Sequence, residues 1–161
     1  MIVVSNTSPL TNLAAIGQLD LIRQLYGQLH IPIGVWNELN ANGVAWPGRD
    51  EVMESSWISR ERVKDIHLVN VLRNDLDRGE AETIALAVEI HADLVLLDEK
   101  EGRRIAQRLG LRVSGVVGLL VLAKSQGKLK EVRPYLDALR EVAGFYLSDS
   151  VYTNALRMAG E

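Results

Sequence analysis

The 161-residue chain contains no cysteine. A disulfide scaffold and a thiolate-ligated zinc are thereby excluded, and the composition suits a reducing compartment. Aromatic residues are scarce at 5%, with a single Phe, so the core must be built from Leu, Val, Ile and Ala. Long apolar runs are missing too. The longest, Val116 to Ala123, is interrupted by Gly118 and is far too short to span a bilayer, so no membrane partner is expected. The run Met1-Ile2-Val3-Val4-Ser5 has neither a basic leader nor an extended apolar stretch, and a cytoplasmic location is expected. Net positive charge is also lacking: 18 basic against 21 acidic residues give −3, which at the level of the whole chain counts against a nucleic-acid partner. The three histidines (His30, His67, His91) are scattered without metal-ligand spacing. No glycine-rich phosphate loop with a Lys is present, and no Ser stands in a nucleophile elbow.

Apolar residues make up 47% of the chain and charged residues 24%, the balance of a globular domain with a substantial core. The length fits one domain, residues 1–161. Charge is unevenly spread. Between Asp98 and Arg112 five basic residues (Lys100, Arg103, Arg104, Arg108, Arg112) outnumber three acids (Asp98, Glu99, Glu101).

Short continuous apolar runs predict buried parallel strands at Ile2–Val4, Leu29–Ile31 and Leu94–Leu97, with a short strand at Arg112-Val113 and an edge strand over Trp57–Val63. Between them lie helical patterns. The first is expected to start with Ser8 as N-cap and Pro9 at the first helical position, and to end at Gly17. Others are expected over Leu19–Tyr26, Gly34–Asn40, Ile66–Leu72, Asp77 onward with Ala81, Ile84, Ala85 and Val88 on one face, Glu99–Leu109, Val116–Ser125, Lys130–Val142 and 148–159. Residues 43–50 read as a loop. Alternating strands and helices predict an α/β fold, doubly wound, with a mainly parallel central sheet flanked by helices. The apolar segment Val116–Leu122, with Val132, Leu136 and Leu139, predicts surface shared between the core and a homodimer interface.

Functional groups of open α/β sheets collect past the carboxyl ends of the strands. Asn6 and Asp98 both stand there. Glu38 shares a helix face with Val35 and Leu39, where an unpaired charge is costly to bury. Glu80 lies in the first turn of its helix, and Glu82 points roughly to the opposite side. Each has a plainer reading: Asp98 with Glu101, and Asp77 with Glu80, both match capping boxes. Two carboxylates about 4 Å apart repel by roughly 4 kcal/mol at an effective dielectric near 20. Convergence of Glu38, Glu80 and Asp98 on one crevice would therefore call for a cation, and Mg²⁺ needs only one or two carboxylates plus waters.

Val3-Val4-Ser5-Asn6-Thr7-Ser8-Pro9-Leu10, Val35-Trp36-Asn37-Glu38-Leu39, Gly79-Glu80-Ala81-Glu82 with Ile84-Ala85-Leu86-Ala87, and Leu96-Leu97-Asp98 with Gly102-Arg103-Arg104 together resemble the PIN-domain family. The likeness is greatest to a prokaryotic branch related to the ribonucleases of toxin–antitoxin pairs. The resemblance implies a three-layer α/β/α domain and a metal-dependent ribonuclease hydrolysing single-stranded RNA with Mg²⁺ or Mn²⁺. It also implies a possible protein antitoxin as partner and a homodimer. Carried over, the acids are Glu38, Glu80 and Asp98, with Glu82 as the alternative to Glu80. Asn6 stands where the family usually has its first Asp, which removes a negative charge while leaving an amide oxygen able to coordinate. Arg103 and Arg104 would contact phosphates. The alternative is a PIN fold that has lost catalysis and serves as an RNA- or protein-binding module. A phosphatase-like or receiver-like domain would need two acids after the first strand, which this chain lacks.

Overall fold

The computed structural model describes residues 1–43 and 45–161; Val44, in the loop expected over 43–50, lies outside the described residues. Among the described residues the expected runs form five strands: β1 (Val3–Ser5), β2 (Leu29–Pro32), β3 (Ile58–Glu61), β4 (Leu94–Leu96) and β5 (Val113–Ser114). All pair in parallel, in the order β3-β2-β1-β4-β5, with the expected edge strand at one margin.

Side chains alternate between the faces of a strand, so each short run feeds two cores. Val3, Leu29, Ile31, Leu94 and Leu96 point to one side. There they meet α1 (Thr7–Ala15), α2 (Asp20–Tyr26), α8 (Val116–Ser125), α9 (Arg133–Glu141) and α10 (Asp149–Met158). Val4, Val95 and Leu97 point to the other side, against α5 (Ile66–Leu72), α6 (Arg78–Glu89) and α7 (Lys100–Arg108). The expected doubly wound, three-layer α/β/α architecture is what the structure shows. Among the described residues no helix is long and apolar enough to cross a membrane.

Several local expectations need correction. α1 starts at Thr7, not Pro9, and its N-cap is Asn6, not Ser8. The reason is the sheet: Asn6 is still extended and donates its N–H to Leu96 O at 3.1 Å, so the chain turns helical one residue later. Part of the expected 43–50 loop begins a helix, α4 (Arg49–Glu54), whose first-turn acids Asp50 and Glu51 suit a helix N-terminus. α9 starts at Arg133, with Pro134 in its first turn. The apolar segment expected to be shared between the core and a homodimer interface divides: Val117, Val121 and Leu122 of α8 stay partly exposed, and the rest goes to the core. Val116, Leu119, Leu120, Ala123, Val132, Leu136 and Leu139 are all buried within this chain.

α6 is the helix about which the site is arranged. Gly79 and the stretch from Ala81 through Ala87 are buried, while Val88 emerges at the rim. Glu82 is among the buried residues. Its carboxylate accepts from Gly34 N at 3.0 Å, at the start of α3 (Ile33–Leu39), and from Arg78 Nε at 2.6 Å. It thus pins the first turn of α3 to α6. Truncating a buried acceptor leaves the opposing donor unsatisfied, at about 1–3 kcal/mol. Glu82→Ala is therefore expected to lower stability by about that amount, read as a shift of the urea midpoint. An unchanged midpoint would mean that α3 is held without this clamp.

Candidate functional site

Strand order reverses between β1 and β4, and the crevice past the carboxyl ends of those two strands is where an open parallel sheet presents its chemistry. The register pairs Ser5 with Leu96, so Asn6 and Asp98 emerge from neighbouring strand ends. Asn6 is buried, makes no capping bond from its side chain, and its Oδ1 has no hydrogen-bond partner among the described residues. A buried polar atom without a partner is costly, so its retention at this position calls for a reason.

Asp98 does not cap its own helix; the N-cap of α7 is Glu99. Instead Asp98 Oδ1 accepts from Val116 N at 2.9 Å, at the start of α8, and Oδ2 accepts from Ser8 Oγ at 3.4 Å. Ser8 Oγ in turn accepts from Asn12 Nδ2 at 2.9 Å, which fixes the hydroxyl. Burial pushes the Asp98 carboxyl above its usual range, and this outweighs the opposing pull of Val116 N–H, Arg103 and Ser8.

Glu38 is exposed on α3 and accepts a hydrogen bond from Thr7 Oγ1. Consecutive hydroxyls at the start of α1 thus reach two acids, Thr7 to Glu38 and Ser8 to Asp98. Glu80 is half-buried in the first turn of α6, its N–H donating to Asp77 Oδ1 at 2.8 Å. Its pKa is pushed up to about 7, first by burial and then by the Asp77 carboxylate, with Glu99 adding repulsion. Glu82, the alternative third acid, is taken up by the α3–α6 clamp.

These acids share one edge without closing on one point. Among the described residues no three acidic or histidine side chains are grouped closely enough to hold a metal ion. What the fold brings together is Asn6, Ser8 and Asp98 in the crevice, with Glu38 tied in through Thr7 and Glu80 further along the edge.

Each acid rests against a glycine. A Cβ on Gly115 would lie 2.5 Å from Asp98 Oδ1, and one on Gly79 would lie 2.8 Å from Glu38 Cδ. Gly102 stands in the same relation to Glu80, at 3.1 Å from Oε2, and Gly34 to Glu82, at 2.9 Å from Cδ. A side chain at Gly79 or Gly115 would displace the carboxylate. Sequence reasoning passed over these seats and over Thr7. For Gly34, Gly79 and Gly102 the available signal was glycine inside a helix, which costs stability relative to Ala and flags a close approach; Gly115, the extended N-cap of α8, carried no such signal.

The arginines divide. Arg103 Nη1 donates to Leu97 O at 2.9 Å and sits beside Asp98, whereas Arg104 is exposed and paired with Glu101. Three arginines that sequence reasoning did not single out, Arg62, Arg73 and Arg78, line a hollow of about 300 Å³ beyond the carboxyl ends of β2 and β3.

A family model described as a PIN domain matches residues 2–161, nearly the whole chain. The chain belongs to the PIN-domain family. A search of curated proteins finds no match. PIN domains are generally nucleases and typically depend on Mg²⁺ or Mn²⁺. In donor chemistry the residues of this PIN domain suit such an ion, though not, among the described residues, as a closed three-acid group: the donors are all oxygen, as hard cations require, and Asn6 Oδ1 is buried and unpartnered next to the Asp98 strand end.

The raised Glu80 pKa sets a pH dependence for the metal-free protein. A carboxyl whose pKa is higher folded than unfolded stabilises the fold below the unfolded value, and that contribution is lost as pH rises through the folded value. Glu80 should therefore cost this PIN domain stability between pH 4.5 and about 7. Melting wild type and Glu80→Gln in chelator across that window should give curves that separate progressively, the variant gaining with pH. Parallel curves would show that Glu80 is not held in a desolvated, acid-flanked position.

Proposed function

We propose that this PIN domain is a metal-dependent endoribonuclease that hydrolyses single-stranded RNA at the β1–β4 crevice. The observation that carries the reading is the buried, unpartnered Asn6 Oδ1 at the strand end adjoining Asp98. In this reading Asn6 and Asp98 hold a Mg²⁺ or Mn²⁺ ion. Glu38 lies within reach of the same edge through Thr7 and completes the acidic side of the site. A divalent ion in such a site supplies neutralising charge to the phosphodiester and a more acidic water.

The chain's own groups do the rest. Val116 N–H and Ser8 Oγ hold the two Asp98 oxygens in a fixed orientation. Glu80, with its pKa near 7, is suited to take or give a proton through its carboxylate at neutral pH. Phosphate contacts come from Arg103 at the crevice and, in this reading, from Arg104 should its pairing with Glu101 open; exposed pairs of that kind hold weakly. The arginines around the second hollow supply local positive charge to a chain of net charge −3.

Asn6 in place of an acid, and the lack of a three-acid group among the described residues, support a second reading. In it the fold binds RNA or protein without cutting. One experiment separates the two. Wild type, Asn6→Asp and Asp98→Asn are incubated with labelled unstructured RNA, with Mn²⁺ or with chelator. The nuclease reading expects Mn²⁺-dependent cleavage, raised several-fold by Asn6→Asp and reduced at least 100-fold by Asp98→Asn, on the scale of losing one electrostatic catalytic group. RNA bound but uncut by all three proteins at any metal concentration would favour the binding module.

A toxin-like role, a protein antitoxin, cytoplasmic location and a homodimer belong to the same reading, supported by the likeness to the toxin–antitoxin branch. In this reading the homodimer uses the most exposed apolar pair of the sheet-flanking helices, Ile66 and Val71 on α5, which are 64% and 63% exposed, whereas Val117, Val121 and Leu122 on α8 are only partly exposed. Light scattering is expected to show twice the chain mass, reverting to a monomer in Val71→Lys. A wild-type monomer at micromolar concentration would remove the dimer from the reading.

A further inference from the structure

A cavity of about 450 Å³ opens directly from the candidate centre, with Asp98, Arg103 and Gly115 at one end. That volume lies within the range of small-molecule sites. Away from Asp98 the walls are mainly apolar, formed by Val117 and Val121 of α8 and by Val151 and Met158 of α10, with Ser148 and Asn154 as polar members. The lining thus joins an acid and a guanidinium to a mainly aliphatic wall that carries an amide and a hydroxyl, groups able to hydrogen-bond a base edge. A nucleotide has the matching polarity, with an anionic phosphate at one end and a flat, largely apolar base at the other.

Tyr146 lines the same cavity and is 87% exposed. Its backbone is nevertheless pinned on both sides. Phe145 N donates to Leu139 O at 2.8 Å, and the Arg140 guanidinium donates twice to Leu147 O, at 2.6 and 3.1 Å. The neighbours are anchored as well: Leu147 is buried and Phe145 packs on the core. A large ring left in solvent on a fixed backbone is a poor use of apolar surface for folding and a good platform for stacking. Single-stranded nucleic acids are bound through stacking of unpaired bases on aromatic faces.

We propose that this cavity is a nucleobase subsite, in which a base of the bound strand stacks on Tyr146 against the α8–α10 wall while its phosphate lies at Asp98 and Arg103. The inference rests on the nuclease reading for the location of the phosphodiester. It adds that a nucleotide next to the cut is gripped by its base.

The test uses a short 2′-O-methyl oligouridylate, which binds but resists cleavage, titrated by fluorescence anisotropy into the full chain with Mn²⁺. Tyr146→Ala is expected to weaken binding about tenfold, within the range for loss of one stacked base. Val151→Trp, placed at a half-exposed position to fill the cavity, should weaken it comparably, and thermal melts confirm that both variants fold. A series of oligonucleotides with one abasic position each should show a single position whose base matters to wild type and no longer matters to Tyr146→Ala. Wild-type affinity in both variants overturns the subsite, as does an abasic series with the same profile in wild type and Tyr146→Ala, or no binding by wild type at all. Cleavage of ordinary RNA is measured in parallel. Cutting with no Tyr146 dependence of binding sinks the subsite alone. Tyr146-dependent binding with no cutting at any metal concentration supports the subsite and sinks the nuclease reading.

Discussion

The hydrogen bond from Asn6 N–H to Leu96 O closes the ladder between β1 and β4, and the chemistry of this protein depends on that closure. It keeps Asn6 extended for one residue past β1 and so sets the point at which α1 begins. With α1 started at Thr7, the next two hydroxyls fall on opposite sides of the crevice. One reaches Glu38 on α3 and the other reaches Asp98 after β4. A slip of one residue would turn every β1 side chain to the other core and carry both hydroxyls away from their acids. The interdigitation of Val3 and Val4 with two different helical layers makes such a slip prohibitive.

Electrostatic strain gathers along the same edge. Asp98 and Glu80 are both raised by burial, and their neighbours only partly relieve it. The glycines under the carboxylates show that the fold brings backbone close to the acids, including Glu38, which remains exposed. In the nuclease reading proposed above, that unrelieved desolvation is what an external cation would offset. Glu82 shows the other outcome. It is more deeply buried than Glu80 or Asp98, but Gly34 N–H and Arg78 satisfy it, and its work is structural.

Charge and apolar surface are laid out along the carboxyl edge in a way the net charge of −3 hides. Arginines border a hollow beyond the ends of β2 and β3, acids occupy the middle, and an apolar cavity with an exposed tyrosine lies beyond β5. α8 takes part in both the core and this cavity. That accounts for its being apolar nearly all round without requiring a partner: Leu119 and Leu120 face the core, and Val117 and Val121 face the cavity.

Local pattern alone was enough for much of the fold. A short apolar run such as Leu94–Leu97, bounded by polar residues, fits a strand buried on both sides, and the spacing of Ala81, Ile84 and Ala85 fits a helix face, so the α/β order and the positions of Asn6 and Asp98 at strand ends were legible in the sequence. The choice among chemically equivalent neighbours was not. Whether Ser8 caps a helix or holds an acid, and whether Asp98 caps α7 or α8, depends on which backbone N–H groups and carboxylates other elements bring near. Glu80 and Glu82 differ by two residues on one helix, and only the approach of α3 through Gly34 assigns Glu82 to the clamp. The faces of α8 were equally undecided, because hydrophobicity records that a side chain leaves water and not which surface it leaves water for. Local pattern determined the elements and the residue types at their ends; tertiary packing decided the partners, since hydrogen bonds, desolvation and close approach act between segments far apart in the chain.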